Sequence, residues 1–282
     1  PDGEETLDHA YKVVDSLNNS YLPIQGPPGA GKSYTGSRLM QHLLKQGKKI
    51  GVAAIGHKVI NGLLTSTKRL VGDEFAIIHK VSDQNIEYEY KVTIKNQVCE
   101  ELANGHEPVL IGGTSWLFAR DEMEGTLDYL FIDEAGQLSL ANLLSISRSA
   151  KNLIILGDCR QLEQPIQASH PDGADLSALE FIQGDHPTIP KEKGLFLDKT
   201  YRLSPGICKF NSELFYEKRL FSAEGKEKQF VMGPMKLKPL MYQEVKHSGN
   251  SNYSLEEVEF INELVTNLLK DEHTFSIYNN KT

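Results

Sequence analysis

The glycine-rich stretch GPPGAGKS, at residues 26–33, fits the pattern G-x-x-x-x-G-K-[ST]. Glycines let a backbone turn tightly, so that successive N–H groups point at phosphate oxygens. The N-terminus of a helix that follows adds partial positive charge facing the same anion. In this pattern Lys32 reaches the β- and γ-phosphates, and the Ser33 hydroxyl ligates magnesium. The stretch therefore predicts a binding site for a nucleoside triphosphate.

Two adjacent carboxylates, Asp133 and Glu134, follow the apolar run 129–132. An acid at the end of a strand beside the phosphate-binding strand completes a magnesium shell, so we expect Asp133 to hold the metal through water. Glu134 points differently and can accept a proton from an attacking water. A hydrolase needs this second acid, whereas a kinase for small molecules does not. The pair therefore favours ATP hydrolysis over phosphoryl transfer to a metabolite.

Two polar clusters further along the chain carry side chains that suit a phosphate group. Gln161 lies in GDCRQLEQP (157–165), and Arg202 lies in TYRLSP (200–205). A neutral amide donor and a bidentate cation are together suited to contact a γ-phosphate. The neighbouring Tyr201 is able to stack on a base.

Apolar segments and helical patterns alternate through the first half of the chain, which is typical of an α/β fold with a parallel sheet. A helical pattern begins at Lys32, and another covers residues 138–149. Five segments are predicted to be buried strands, namely 21–25, 49–55, 107–114, 128–133 and 151–158. The phosphate-binding stretch follows the first of these strands, and the paired acids end the fourth.

The segment at about 65–107 interrupts this alternation, and we interpret it as a small insertion. Within it, IEYEYKVTIK (86–95) alternates strictly between apolar and polar residues. That pattern predicts a half-buried strand in an antiparallel or edge arrangement. The strand either extends the sheet by packing alone or contacts a ligand directly.

The segment SLEEVEFINELVTNLLK (254–270) predicts an amphipathic helix. Ser254 and Glu257 form the S-x-x-E pattern of a capping box. The apolar residues that share one helical stripe are Val258, Ile261, Val265 and Leu268.

The composition is that of a globular protein, with 39% hydrophobic and 24% charged residues among 282. Apolar runs fall well short of the roughly 20 residues that cross a bilayer, and the polar start PDGEET does not resemble a signal peptide. The three cysteines are far apart and form no C-x-x-C pair, which argues against a zinc site. We therefore expect a cytoplasmic protein.

The net charge of −8 disfavours a non-specific nucleic-acid coat, which normally has a basic surface. A local basic groove remains compatible with this charge. The basic residues early in the chain either line such a groove or form a solvated surface: Lys45, Lys48, Lys49, His57, Lys58, Lys68 and Arg69.

Four motifs occur in the order and spacing of the superfamily 1 helicases, which the chain resembles over about residues 7–270. They are GPPGAGKS, DEAGQ (133–137), GDCRQLEQP and TYRLSPGICKFNSELFYEKRL (200–220). Within these helicases the chain looks like the branch that includes the RNA helicase of nonsense-mediated decay. The stretch 170–205 looks more like bacterial proteins in which such a helicase is fused to a RecB-like nuclease. The resemblance implies a RecA-like P-loop fold that uses ATP and Mg²⁺.

The resemblance also implies roles for the nucleotide-binding residues. Gln161 and Arg202 would contact the γ-phosphate together with Lys32, and Tyr201 would pack on adenine. The expected nucleotide-binding residues are Gly26, Pro27, Pro28, Gly29, Ala30, Gly31, Lys32, Ser33, Tyr34 and Tyr201. Family members usually carry a glutamine upstream of the phosphate loop that recognises adenine. Here no glutamine precedes Gln25, and His9 lies near that place, so we expect weaker selectivity for adenine.

Single-stranded DNA or RNA is the partner that the resemblance implies, with a RecB-like nuclease domain in the same or a partner chain. GVAAIGHK (51–58) and GGTSW (112–116) occupy the places of motifs that contact the single-strand backbone. His57, Lys58 and Thr114 are the candidates for this contact. Trp116 either stacks on a base or belongs to the core.

Helicases of this superfamily continue into a second RecA-like domain. We therefore expect residues 1–235 to form the first RecA-like domain and residues 236–282 to begin the second, so that the sequence looks like part of a larger protein. The main hypothesis is an ATP-dependent helicase or translocase domain. The alternative is a nucleotide-gated module that binds nucleic acid with little turnover.

Overall fold

An eight-stranded parallel sheet is the centre of the computed structural model, which describes residues 2–83, 88–161, 176–228, 230–232, 240–270 and 274–276. The strands are β1 (Tyr21–Gln25), β2 (Ile50–Ala53), β3 (Ala76–Lys80), β4 (Lys91–Thr93), β5 (Val109–Gly113), β6 (Leu127–Ile132), β7 (Ala150–Gly157) and β8 (Leu195–Phe196). Their order across the sheet is β4-β3-β5-β2-β6-β7-β1-β8, and every neighbouring pair is parallel. The predicted α/β fold with a parallel sheet is confirmed.

Helices cover both faces of this sheet, as continuous apolar strands require. The helices are α1 (Asp2–Ser16), α2 (Lys32–Lys45), α3 (His57–Val71), α4 (Asn96–Asn104), α5 (Ser115–Phe118), α6 (Leu140–Ser147) and α7 (Ala178–Gln183). One core cluster joins α1, α2 and α3 to strand residues such as Phe131. The other joins α4 to α7 with Leu130 and Ile132 of the same strand. Alternate residues of β6 therefore enter opposite cores.

The strand predicted at 86–95 is shorter than expected. Its residues 91–93 form β4, which is an edge strand as predicted, but it pairs with β3 in parallel, so the antiparallel arrangement is wrong. Thr93 is buried and Ile94 is 48% exposed, opposite to the predicted alternation. The reason is that the chain bends at Ile94 to enter α4. Ile86 lies outside the described residues, and the boundaries of the insertion and of the two domains stay predictions.

A smaller group of elements follows the sheet. β9 (Lys199–Thr200) pairs in parallel with β10 (Phe221–Ser222), and α8 (Pro205–Phe215) lies between them in sequence. β11 (Phe230–Met232) pairs antiparallel with β12 (Thr274–Ser276). The helix α9 (Leu255–Lys270) confirms the helix predicted near the end of the sequence, and the Glu257 N–H donates to Ser254 Oγ at 3.2 Å.

In the part of the chain that the structure describes, α9 has no buried residue, and its predicted apolar stripe is largely open to solvent. The same part of the chain contains no helix with the length and apolar character that crossing a membrane requires.

Core packing on β6 gives a direct test of this architecture. Phe131 is fully buried between Val52 of β2 and Ile154 of β7. Changing Phe131→Ala removes buried apolar area and leaves a cavity, so we expect the free energy of unfolding to fall by about 3–5 kcal/mol. Urea unfolding followed by far-UV circular dichroism measures the change.

The control is Leu269→Ala on α9, where the side chain is 81% exposed. This change should alter the free energy of unfolding by less than about 0.5 kcal/mol. Equal losses in the two variants would contradict the assignment of the core to the parallel sheet.

Candidate active site

The phosphate loop connects β1 to α2, which begins at Lys32. Gly29 and Gly31 have φ values of +74° and +89°. Residues other than glycine adopt this left-handed backbone conformation only at a cost in free energy. A Cβ atom on Gly29 would also lie 2.3 Å from Cβ of Arg202. The loop therefore has the strand–loop–helix setting that its sequence pattern predicts, with a segment from much later in the chain lying on it.

Lys32 lies along this loop. Its Nζ donates to the carbonyl of Gly26 at 2.9 Å, and a Cβ atom on Gly26 would lie 2.3 Å from Lys32 Cγ. Glycine at this position thus makes room for the lysine stem. Burial raises the pKa of Asp133, and the positive charge of Lys32 lies near enough to oppose part of this rise, so the structure brings the loop and the strand-end acid together.

Asp133 and Glu134 occupy different environments although they are adjacent. Asp133 is only 4% exposed, whereas Glu134 is half-buried. Burial and then the charge of Glu134 raise the pKa of Asp133 to about 6, against the opposing effects of the Glu134 N–H and of Lys32. Glu134 has a φ of +53°, which is uncommon for a residue other than glycine and costs of order 1–3 kcal/mol. Such strain is typical of positions with a functional constraint.

The turn after β6 packs tightly on the end of β7. The Ala135 N–H donates to the carbonyl of Leu156 at 2.9 Å. A Cβ atom on Gly136 would lie 2.6 Å from the carbonyl oxygen of Asp158. This packing fixes the strained turn that carries Glu134 and places it beside the next polar cluster.

Asp158 is a buried carboxylate that receives hydrogen bonds from four donors among the described residues. Gln25 Nε2 and the Arg160 N–H donate to Oδ1, at 3.3 and 3.2 Å. Gln161 Nε2 and the Tyr216 hydroxyl donate to Oδ2, at 3.1 and 2.7 Å. Burial, followed by the nearby Asp158 charge, raises the pKa of Tyr216, so its hydroxyl remains a donor. Asp158 therefore positions Gln161 at the carboxyl end of β7.

The segment 200–202 lies directly on the phosphate loop. Thr200 Oγ1 donates to the carbonyl of Pro28 at 2.8 Å, and the Tyr201 N–H donates to the carbonyl of Gly29 at 2.9 Å. Tyr201 and Arg202 are both exposed at this place. The two side chains predicted to contact the nucleotide from this motif are thus held beside the loop by backbone contacts.

A cleft of about 550 Å³ opens next to the phosphate loop, within the size range of small-molecule sites. Tyr34 and Tyr201, which are predicted to bind the nucleotide, both line this cleft, and the Arg38 guanidinium lies 3.3 Å from the centre of the Tyr34 ring. The lining is completed by Thr6, Leu7, Gly29, Ala30, Gly31, Thr35, Leu197, Asp198 and Lys199. Among these, Thr6 and Leu7 of α1 carry no sequence signal. His9, which lies near the place of the family's upstream glutamine, is exposed and is not among the residues that line the cleft.

The candidate nucleic-acid residues follow two neighbouring strands in the other half of the sheet. Ala53 of β2 pairs with Gly113 of β5, so His57 and Thr114 both lie shortly after these strand ends. Lys58 is exposed in the first turn of α3, whereas Thr114 is half-buried. The structure thus places the three candidates at one edge of the sheet.

His57 lies within hydrogen-bonding distance of two residues that carry no recognisable signal in the sequence. Its Nδ1 lies 3.1 Å from His79 Nε2, and its Nε2 lies 3.3 Å from Ser82 Oγ. Burial and the charge of Lys80 lower the pKa of His57. Burial, with a smaller effect of His57, lowers the pKa of His79 to about 4. His57 is therefore neutral near pH 7 and suited to hydrogen bonding more than to charge pairing.

Trp116 is 87% exposed, so the possibility that it belongs to the core is wrong. Its neighbours Leu117 and Phe118 fill the core positions of the short helix α5.

Comparison with protein families matches residues 9–174, more than half of the chain, to an AAA domain (AAA_30). The chain belongs to this AAA domain family. The family agrees with the predicted enzyme class, an NTPase.

Relatives of this AAA domain include the DNA replication ATP-dependent helicase/nuclease dna2 of Schizosaccharomyces pombe, which is 28% identical over 206 residues. The corresponding protein of Saccharomyces cerevisiae is 23% identical over 226 residues. These alignments cover 70% and 77% of this chain but only 14% of each relative. Among solved structures, an Arterivirus nonstructural protein 10 (helicase) with DNA is 14% identical, with a TM-score of 0.44, over 78% of this chain and 44% of that one.

Adding one methyl group to the phosphate loop should weaken nucleotide binding. In Gly29→Ala, the new Cβ atom would lie too close to Arg202 and Thr200, and the alanine would have an unfavourable φ. The free loop would therefore relax to another conformation, and phosphate binding would have to restore the original one. Strain of about 1–3 kcal/mol corresponds to roughly 5- to 150-fold weaker binding, measurable by titration with a fluorescent ATP analogue.

The matched control is Gly47→Ala, because Gly47 has a similar φ of +77° but no atom within 4 Å of its added Cβ. This variant carries the same backbone penalty away from the loop and should bind the analogue like the parent. If Gly29→Ala also bound like the parent, the loop would not be the phosphate site.

Proposed function

We propose that this AAA domain is the ATP-hydrolysing part of a helicase or translocase that acts on single-stranded nucleic acid. The observation that carries the proposal is the contact of the segment 200–202 with the phosphate loop, because it places Arg202 beside Gly29, with Lys32 in the same loop. Two cations beside a glycine-rich loop that leads into a helix N-terminus suit a triphosphate.

The nucleotide would lie across the phosphate loop, with its base in the cleft between Tyr34 and Tyr201. Lys32 would neutralise the β- and γ-phosphates, and Arg202 would contact the γ-phosphate. Gln161 has an amide group with two hydrogens. One is engaged by Asp158, and we propose that the other contacts the γ-phosphate.

Ser33 and Asp133 would hold Mg²⁺ bound together with the nucleotide. The donor set fits this cation, since Mg²⁺ binds hydroxyl and carboxylate oxygens and needs only one or two carboxylates from the protein. Asp133 is buried beside Lys32, and Ser33 is exposed in the first turn of α2. Bound there, Mg²⁺ would neutralise charge on the phosphates.

Glu134 would accept the proton of the water that attacks the γ-phosphate. Its half-buried position leaves the carboxylate accessible, and its left-handed backbone is held by the packing of Ala135 and Gly136 on β7. A positioned base of this kind typically contributes 10²- to 10⁴-fold to the rate.

Single-stranded DNA or RNA would contact His57, Lys58 and Thr114. The curated relatives named above are helicase/nucleases of DNA replication, which supports a nucleic-acid substrate. We also infer a RecB-like nuclease domain in the same or a partner chain, from the resemblance of residues 170–205. The separated cysteines fit a protein of the reducing cytoplasm.

The alternative function is a nucleotide-gated module that binds nucleic acid but turns over ATP negligibly. The exposed apolar stripe of α9 is the feature that bears on it, because exposed apolar patches often mark contacts with further protein. Turnover would be negligible if the hydrolysis step needed such a contact.

Replacing the proposed base tests the ATPase assignment. Glu134→Gln keeps the side-chain volume but cannot accept the proton, so we expect kcat for ATP hydrolysis to fall about 10²- to 10⁴-fold while ATP affinity stays within about twofold of the parent. Phosphate release gives the rate, and equilibrium titration gives the affinity.

Glu101→Gln is the control, since Glu101 is exposed on α4 and should leave both quantities unchanged. Parental turnover by Glu134→Gln would show that Glu134 is not the base. Binding of ATP without turnover by the parent itself would favour the alternative function.

A further inference from the structure

We propose that Trp116 is a base-stacking residue of the single-strand site, so that one unpaired base of DNA or RNA lies against its indole ring. This inference rests on the proposed function, since it names a contact within the same nucleic-acid site. The occupant is a nucleobase in a single strand.

The first observation is the exposure of the ring. Tryptophan is highly buried on average in proteins, yet Trp116 is 87% exposed. The adjacent Leu117 and Phe118 are 1% and 0% exposed, so the helix that carries the indole is anchored in the core. A large aromatic face is therefore presented to solvent from a fixed backbone.

The second observation is the position of Trp116 on the sheet. β5 ends at Gly113, which pairs with Ala53 at the end of β2. Trp116 therefore follows one strand end, and Lys58 follows the adjacent strand end. An exposed cation and an exposed aromatic ring at one edge are the two parts that single-strand sites combine, the first for the phosphates and the second for the bases.

The third observation is that two adjacent glycines seat both helices involved. A Cβ atom on Gly112 would lie 2.6 Å from Leu64 Cδ1 of α3, and one on Gly113 would lie 2.6 Å from Leu117 Cδ2 of α5. The absence of side chains here lets α3 and α5 approach β5 closely. The helix that begins with His57 and the helix that carries Trp116 thus both pack directly on β5, from opposite faces of the sheet.

The experiment uses the fact that Trp116 is the one tryptophan in the sequence. Binding of a fluorescein-labelled oligo-dT is measured by anisotropy, and the emission of Trp116 is measured with unlabelled oligo-dT. Stacking should quench the emission, and the oligo-dT concentration at half-maximal quenching should equal the Kd from anisotropy.

Variants separate stacking from a structural effect. Trp116→Ala should weaken oligo-dT binding by roughly 5- to 150-fold, the range for loss of one base–aromatic stack, and Trp116→Phe should retain most of the affinity. An abasic strand of the same length should bind the parent and Trp116→Ala equally. The control is Tyr242→Ala, which removes a different aromatic ring that is 89% exposed. This variant should bind oligo-dT like the parent.

The outcomes distinguish this inference from the proposed function. If oligo-dT binds but the emission of Trp116 is unchanged and Trp116→Ala binds equally well, the stacking role is wrong and the nucleic-acid function stands. If Trp116→Ala loses the same affinity for the abasic strand, its effect is structural and the inference is also wrong. If neither oligo-dT nor oligo-rU changes the anisotropy, the proposed nucleic-acid function itself fails.

Discussion

The buried carboxylate of Asp158 is the interaction on which the nucleotide site depends. A carboxylate removed from water is costly unless donors surround it, and here the donors come from β1, from the turn after β7 and from Tyr216 just after α8. The end of β7 is also joined to the phosphate loop, because the Gly26 N–H donates to the carbonyl of Gly157 at 2.9 Å. The same anion therefore links Gln161 to Gln25, which directly precedes the loop, and to Tyr216, which follows α8, although these residues are far apart in the chain.

In the proposed function, the carboxyl edge of the sheet is divided between two ligands. The phosphate loop, the paired acids and Gln161 follow β1, β6 and β7, whereas the nucleic-acid candidates follow β2 and β5. The two halves meet where β6 pairs with β2. There the Asp133 N–H donates to the carbonyl of Ala53 at 2.9 Å. Ala53 precedes His57 by four residues. The residue proposed to hold the metal is therefore hydrogen-bonded directly to the strand that leads to the proposed nucleic-acid residues.

Local patterns were sufficient to predict much of this structure. Buried parallel strands are continuous apolar runs, so five of them could be located within one or two residues of their observed ends. The phosphate loop was predictable because its glycines, lysine and serine act within one short segment. The helix at 255–270 was predictable from its period and its capping serine.

The remaining features depend on packing between distant segments. β3 was not predicted, and the direction of β4 is decided by its partner, which is not encoded in the alternation of Tyr88 to Thr93. The contribution of Thr6 to the nucleotide cleft and the bond of Tyr216 to Asp158 link residues far apart in sequence. The exposure of Trp116 follows from Leu117 and Phe118 occupying the core, which the sequence alone left open.

The central claim is that one domain joins ATP hydrolysis to a single strand across this shared edge. The most direct measurement is the steady-state rate of Mg²⁺-dependent ATP hydrolysis as oligo-dT is added, with Lys32→Ala as the blank. We expect the rate to rise with strand concentration and to saturate, and we expect no such rate from the blank. A rate that stays equal to the blank at oligo-dT concentrations where the strand is bound would contradict it.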